Sequence, residues 1–228
     1  MKTFSILWSF VLTTLIFTSC TQEDLATPLM KGNSDILAAK KGGGETGIVT
    51  YGGQATGLNA TIMTQQNGGI VSHQTILSQT GFLPAAGGNL SASHGQATID
   101  GVLTADSLSA STSGQGNQTI SQATATNLNI TVAGNVISAD YLSATATATC
   151  SAATGSSQIQ NMVVNGTPVE ITGAANQAIY LSNGGFILIN EKSISKGKTK
   201  NINVSALHVI IPNAADIRVA TARAEIKC

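Results

Sequence analysis

From Ile48 to the C-terminus, the chain alternates apolar and polar residues with a period of two. Gly, Asn or Pro interrupts this alternation roughly every 8 to 12 residues, as in folds built from many short strands. Successive side chains of a β-strand point to opposite faces of a sheet, whereas a helix needs a period of about 3.6. The sequence therefore predicts an all-β domain, an antiparallel β-sandwich or jelly-roll-like fold, without long helices. A β-solenoid is the weaker alternative because no unit recurs at a fixed period.

Hairpins are predicted where a turn sequence separates two alternating runs. The longest runs cover residues 119–132 and 136–149, and the intervening Ala133-Gly134-Asn135 supplies residues that adopt positive φ. We expect these two strands to pair, and residues 102–111 form another long run. Further hairpin turns are predicted at Asn165-Gly166-Thr167-Pro168, at Asn183-Gly184-Gly185 and at Pro212-Asn213-Ala214-Ala215.

The first 20 residues have the organisation of an export signal. Lys2 precedes an apolar stretch over residues 4–17, which predicts a signal peptide over residues 1–19. Phe17-Thr18-Ser19-Cys20 resembles the lipobox of bacterial lipoproteins, although Phe17 stands where Leu is usual. This resemblance implies cleavage before Cys20 and acylation of that residue, which would be the lipidation site. An ordinary secretory signal that is cleaved elsewhere is the alternative.

A tether is predicted between Cys20 and the domain. Residues 20–46 include Pro28 and the run Gly42-Gly43-Gly44 with little periodic hydrophobicity, so we expect a lipidated N-terminus followed by a flexible linker. The segment Thr21-Gln22-Glu23-Asp24 resembles the signal that marks some bacterial lipoproteins for surface display, or it is a solvated start to the linker. Residues 47–228 would then form a single domain. The expected location is the cell envelope, as a surface-exposed outer-membrane lipoprotein, with a periplasm-facing anchor as the alternative.

Cys150 and Cys228 form an even pair once Cys20 is assigned to the anchor. Thiols oxidise outside the cytoplasm, so the sequence predicts a Cys150–Cys228 disulfide that fastens the last residue of the chain. Closing such a loop contributes on the order of 4 kcal/mol in the chain-entropy model. Two free, buried thiols are the alternative.

The C-terminal half carries an ordered set of motifs: Val164-Asn165-Gly166-Thr167-Pro168-Val169, then Asn190-Glu191, then Asn203-Val204-Ser205-Ala206-Leu207-His208-Val209, and a terminal cysteine. In this order and spacing they resemble the choice-of-anchor P family, over roughly residues 52–228. The resemblance implies an extracytoplasmic β-rich domain without enzymatic activity, joined to the envelope by one of several sorting devices. It also supports the Cys150–Cys228 pairing.

Ionisable residues are few, since they make up 10% of the chain with a formal net charge of zero. A nucleic-acid partner is not expected because no basic patch stands out. No catalytic residue, metal ligand set or cofactor is predicted, because the histidines lack ligand spacing and the acids are scattered singly. His208 is expected to be a structural or surface residue of a strand. The residues considered were His73, His94 and His208, with Asp100, Asp106, Asp140, Glu170, Glu191 and Asp216.

Three function classes follow from these expectations. The first is a non-catalytic, lipid-anchored surface protein with a structural, adhesive or matrix role, whose partners are the membrane and an extracellular glycan or protein. The second is a carbohydrate-binding module, which needs exposed aromatic rings. The third is an ice- or mineral-binding protein that uses a row of threonines. The aromatic candidates are Tyr51, Phe82, Tyr141, Tyr180 and Phe186, and the threonines are Thr145, Thr147 and Thr149, beside Thr124 and Thr126.

Overall fold

The computed structural model describes residues 48–195 and 197–228. The predicted signal peptide, the lipidation site at Cys20 and the tether lie outside the described residues. Most of the described residues lie in strands and none lies in a helix, which confirms the all-β prediction. The strands are β1 (Thr50–Gln66), β2 (Gly69–Gln79), β3 (Gly88–His94), β4 (Ala97–Ile99), β5 (Leu103–Ala105), β6 (Ser107–Gln115), β7 (Gln118–Val132), β8 (Asn135–Thr149), β9 (Ala153–Gln160), β10 (Val163–Val164), β11 (Thr167–Pro168), β12 (Gln177–Tyr180), β13 (Phe186–Ser195), β14 (Thr199–Ile211) and β15 (Ala215–Lys227).

These strands form two antiparallel sheets. Sheet A has the order β12-β13-β14-β15-β1-β2. In sheet B, the long strands β7 and β8 pair centrally, with β5 and β6 on one side and β9 and β10 on the other. Strand β15 lies against β7 and β8, β14 lies against β8 and β9, and β1 lies against β6 and β7. The predicted β-sandwich is therefore confirmed, and the sheets do not stack as a solenoid.

The predicted hairpins are present. Strands β7 and β8 pair along their whole length around Ala133 and Gly134, which have φ of 47° and 77°. Asn165 and Gly166 also have positive φ and join β10 to β11. The hairpins β12–β13 and β14–β15 surround the other two predicted turns. The run at residues 102–111 is not one strand, because it divides at Asp106 into β5 and β6. Both segments pair with β7, but the neighbour on the other side changes from β4 to β3.

In the middle of each sheet, the ladder of paired residues is interrupted at adjacent positions on neighbouring strands, and we call each interruption a break. In sheet A the register skips Ala220 of β15, which has φ of 51°, together with its neighbours Gly57 and Ala206. In sheet B it skips Asn127 of β7, with φ of 48°, and Asp140 of β8. A left-handed residue reverses the pleat, so the inward-facing positions change from one parity to the other across each break.

The breaks divide the core into two halves of different composition. On the side of the C-terminus, β7, β8 and β15 bury small residues such as Ala123, Ala146 and Ala222. On the other side the same strands bury large aliphatic residues such as Ile130, Ile137 and Ile217. Alanine side chains fill little space between the two sheets, so the sheets must approach each other closely in the first half, which we call the thin half. The abundance of small residues in the sequence agrees with this.

Buried hydroxyl groups bridge the thin half. Thr119 Oγ1 donates to the carbonyl oxygen of Glu225 at 2.8 Å, and Ser121 Oγ donates to that of Arg223 at 2.6 Å. Gly53 permits this approach, since a Cβ there would lie 2.5 Å from Thr112 Oγ1. Both hydroxyl-bearing residues are buried completely, so these bonds join the two sheets inside the core.

The end of the chain is fixed to sheet B. Cys150, just after β8, and Cys228, just after β15, form a disulfide with their Cα atoms 5.6 Å apart. The bond closes a span of 78 residues and joins the two sheets at the thin end of the sandwich. Within residues 48–195 and 197–228, no helix has the length and hydropathy needed to cross a membrane.

Candidate functional site: the outer face of sheet A

A histidine between two carboxylates lies on the outer face of sheet A. His208 of β14 follows the buried Leu207, so strand alternation turns its ring away from the core. Its Nδ1 is 3.0 Å from Glu191 Oε2 of β13, and its Nε2 is 3.0 Å from Asp216 Oδ1 of β15. His208 is nevertheless only 2% exposed. The three strands thus bring together residues that are 17 and 8 positions apart in the sequence, 208 − 191 and 216 − 208.

Arg218 completes this cluster, which we call the His208 cluster: His208, Glu191, Asp216 and Arg218. Its Nε lies 3.6 Å from Glu191 Oε2 and its Nη1 lies 3.3 Å from Asp216 Oδ1. The close contact with His208 holds the pKa of Glu191 below its ordinary value, and Arg218 lowers it further, although partial burial opposes the shift. Glu191 is therefore ionised at neutral pH.

The His208 cluster is arranged to hold charge in place. A general acid must carry a proton near neutral pH, and a carboxyl group with a lowered pKa does not. Both imidazole nitrogens face carboxylates and the ring is closed off from solvent, so a substrate has no access to them. The arrangement can position Arg218, because Glu191 and Asp216 hold its guanidinium group on the outer face of sheet A.

A polar groove runs beside the cluster. Two adjoining hollows of about 350 and 200 Å³ share Asn203, Arg218 and Thr221, and we call them together the sheet A groove. Guanidinium groups, amides and hydroxyls line it, so both hydrogen-bond donors and acceptors face its interior. Its other lining residues are Asn176, Leu188, Glu191, Lys192, Ser193 and Ser205 in the larger hollow, and Gln54, Thr56, Asn59, Gln79, Phe82 and Arg223 in the smaller.

An exposed aromatic ring stands at the rim of the groove. Phe82 is 71% exposed, and it belongs to the loop that follows β2. This loop is pinned over β1, because Thr80 N donates to the carbonyl oxygen of Ala55 at 3.0 Å and Leu83 N donates to that of Gly53 at 2.8 Å. Leu83 is buried while Phe82 points outward, so the ring is presented on a fixed backbone.

A second ionic contact lines the far end of the groove. Arg223 Nη2 lies 2.7 Å from Glu225 Oε2, and Asn201 Nδ2 donates to the same oxygen at 2.7 Å. Arg218 and Arg223 therefore project from one face of β15, on either side of Thr221, and each is held by a carboxylate. Simple alternation along β15 does not place Arg218 and Arg223 on the same face, because the break at Ala220 lies between them.

The histidines and acidic residues that the sequence offered as candidates lie at different places in the two sheets. His208 lies in β14 with its ring enclosed on the outer face of sheet A, and Glu191 and Asp216 are not scattered, since both converge on this ring. On sheet B, Asp106 Oδ2 accepts a hydrogen bond from Asn127 at 2.6 Å, and Asp140 Oδ2 accepts one from Asn161 at 2.7 Å. The other residues considered, His73, His94, Asp100 and Glu170, lie away from the groove lining.

The aromatic and threonine candidates are dispersed. Among the five aromatic residues, Phe82 alone lines the groove, while Tyr180 on β12 is 83% exposed without lining it. Thr145 and Thr147 of β8 lie opposite Gln122 and Ile120 of β7. Thr124 and Thr126 instead lie opposite Ser143 and Tyr141, so the threonines of the two strands do not form common rows, and Thr149 pairs with Gln118 at the strand end.

No three His, Cys, Asp or Glu side chains in the described part of the chain gather as a metal ion would require. Comparison of the chain with protein-family models, with curated proteins and with solved structures yields no match.

Proposed function

We propose that this protein is a non-catalytic, lipid-anchored component of a bacterial cell envelope, displayed at the cell surface in an adhesive, matrix or structural role. The observation that carries the proposal is the Cys150–Cys228 disulfide, because such bonds persist in oxidising compartments outside the cytoplasm. The lipobox-like segment that ends at Cys20 supplies the anchor, and the resemblance to the choice-of-anchor P family agrees with it.

The His208 cluster supports a role without catalysis. Its ionisable groups bind one another, and its imidazole is enclosed, so the cluster serves to order a surface. An ordered polar face on a rigid sheet is suited to holding a partner in one orientation.

Mass spectrometry and protease treatment of intact cells test the location. We expect the mature chain to begin with an acylated Cys20, and protease added to living cells to remove the domain. The Cys20→Ser variant is the matched control, since it should lack the lipid and appear outside the membrane fraction. A mature chain that begins elsewhere, or a domain protected until the envelope is broken, would contradict surface anchoring.

A carbohydrate-binding role is the second candidate, and the sheet A groove favours it. Planar groups such as Arg218 and Asn203 can donate to sugar hydroxyls, while the carboxylate of Glu191 and the side-chain oxygen of Asn203 can accept from them. Phe82 offers an apolar ring face at the rim, where a sugar ring could stack. The formal charges in and beside the groove balance, so we expect a neutral, hydroxyl-rich glycan rather than a polyanion.

A glycan array followed by titration tests this candidate. We expect Phe82→Ala and Asn203→Ala each to weaken binding about tenfold, a loss of about 1.4 kcal/mol. Tyr180→Ala is the matched control, because Tyr180 is as exposed as Phe82 but lies outside the groove, and it should leave binding unchanged. An array without any bound glycan would reject the candidate.

A further inference from the structure

Strand β2 is an open edge of sheet A. It is the last strand in the sheet order, and among residues 48–195 and 197–228 it pairs only with β1. Residues 69–74 are exposed on both faces of the strand, as are residues 64–66 at the end of β1, so this hairpin projects from the sandwich. An edge strand presents a row of backbone donors and acceptors that another strand can use.

The edge carries aliphatic side chains and lacks the features that usually protect an edge. Ile70 is 58% exposed, Val71 37% and Ile76 41%. Residues 69–77 contain no Lys, Arg, Asp, Glu or Pro, the residues with which edge strands commonly discourage pairing. The opposite edge of sheet A, β12, is only four residues long. Strand β2 is thus the edge of this sheet that is suited to receive another strand.

The sequence of β2 complements itself. Ser78 has φ of 54° and interrupts the ladder, so the regular part of the strand runs from Gly69 to Leu77. The midpoint of this segment is His73. When two copies overlap fully and antiparallel about His73, Ile70 of one copy lies opposite Ile76 of the other, and Val71 lies opposite Thr75.

The faces of the two sheets also agree in this arrangement. Residues 70, 72, 74 and 76 project to the outer face of sheet A, since Leu77 is opposite the buried Leu58 and Gln74 hydrogen-bonds the outer-face Asn59. A two-fold axis perpendicular to the sheet at His73 keeps the outer faces of both copies on one side. Both isoleucine pairs then form on that side, and no pair of like fixed charges meets.

We propose that β2 is a self-association surface, at which a second copy of this chain adds its own β2 in antiparallel register about His73. The product is a continuous sheet of twelve strands, six from each copy. The proposal does not depend on the lipid anchor, because it rests on residues of the described domain alone.

Cysteine cross-linking of the full chain tests the register. In an antiparallel pair, opposed Cβ atoms are about 4.5 to 5.5 Å apart, close enough for a disulfide after a small adjustment. With a mild oxidant that accepts the two thiol hydrogens, His73→Cys should form a disulfide-linked dimer, and peptide mapping should find the link between the two positions 73. Tyr180→Cys, exposed on the opposite edge, is the matched control and should give only background dimer.

Sedimentation of the chain without added cysteines gives an independent measurement. We expect a concentration-dependent dimer, and the double variant Ile70→Lys and Ile76→Lys should raise its dissociation constant at least about tenfold. Unchanged thermal unfolding would show that the variant is folded. His73→Cys cross-linking no better than Tyr180→Cys, a cross-link only to a different polypeptide, or a chain that stays monomeric would each overturn the proposal.

Discussion

Both arginines of β15 are paired with carboxylates on the outer face of sheet A. Arg218 contacts both acids of the His208 cluster, and Arg223 contacts Glu225. Because these pairs lie on the outer face of sheet A and are partly open to water, each contributes modestly to stability on its own. The buried ring of His208 is different, because its Nε2 forms a hydrogen bond with Asp216 and its Nδ1 lies 3.0 Å from a Glu191 carboxylate oxygen, which offsets the cost of placing a polar group there.

The lowered pKa of Glu191 predicts a pH dependence of stability. The unfolded carboxyl titrates near 4.5, and the folded one titrates below that value. The stabilising contribution is complete above pH 4.5 and is lost as the pH falls through the folded pKa. Glu191→Gln should therefore be less stable than the natural chain at pH 7, and the difference should shrink below pH 4.5. Urea unfolding between pH 7 and 3 measures this, with Glu170→Gln, on an exposed loop, as the control.

Substitution of Ser121 measures how much the hydrogen bonds between the two sheets contribute to the free energy of unfolding. Ser121→Ala removes the 2.6 Å bond to the Arg223 carbonyl oxygen and the 2.6 Å contact with Thr112 Oγ1. We expect a loss of about 1 to 3 kcal/mol in the free energy of unfolding, because buried polar groups lose their partner. Ser109→Ala is the control, since Ser109 makes a similar contact with Thr124 in solvent and should cost less than about 0.5 kcal/mol. Equal losses would contradict the assigned burial.

At the scale of elements, the long strands depend on residues with positive φ. Asn127, Asn161 and Asn190 occupy such positions within or beside strands, where a short polar side chain tolerates the left-handed conformation. Ala133 and Ala220 occupy them without this advantage. The breaks at Asn127 and Ala220 decide which residues of β7 and β15 face the core, and so place Arg218 and Arg223 on the groove side.

The β7–β8 turn predicts a stabilising substitution. Ala133 is exposed with φ of 47° and precedes Gly134, a pair of positions where Asn-Gly is the preferred sequence of a two-residue hairpin. Ala133→Asn should raise the free energy of unfolding by about 0.5 to 1 kcal/mol, since it relieves left-handed strain. Chemical denaturation measures the gain, and Ala152→Asn in another exposed loop should give none. A destabilised Ala133→Asn variant would show that the turn is not strained.

At the scale of the whole molecule, the sandwich is held differently at its two ends. Large aliphatic residues fill one half, where Leu58, Leu128 and Ile217 are buried. The other half combines alanine and hydroxyl residues of β7, β8 and β15 with larger buried residues, such as Ile202 and Val204 of β14 and Ile226 of β15. The Cys150–Cys228 disulfide lies at this second end and joins the two sheets there.

Removal of the disulfide should therefore be costly. The variant with both Cys150→Ser and Cys228→Ser loses a cross-link that spans 78 residues, for which the chain-entropy model gives about 4 kcal/mol. We expect a lower melting temperature, and amide exchange that rises first in β15 and at the end of β8. Treatment of the natural chain with a reductant should reproduce both effects. Unchanged stability would mean that the thin half holds the chain end by packing alone.

The class of fold and much of the strand pairing could be predicted from the amino-acid sequence. Alternation with a period of two and turns such as Asn165-Gly166 act locally, so strands and hairpins could be predicted from neighbouring residues. The pair of Cys150 and Cys228 also followed from counting. The contacts on the outer face of sheet A could not be predicted in this way, because Glu191 and His208 belong to different strands. In addition, a single left-handed residue, Ala220, changes which side chains of β15 face outward. Alternation along a strand shows which residues share a face, but it does not show where a left-handed residue exchanges the two faces. The residues that line the groove are therefore known only from the folded sheet.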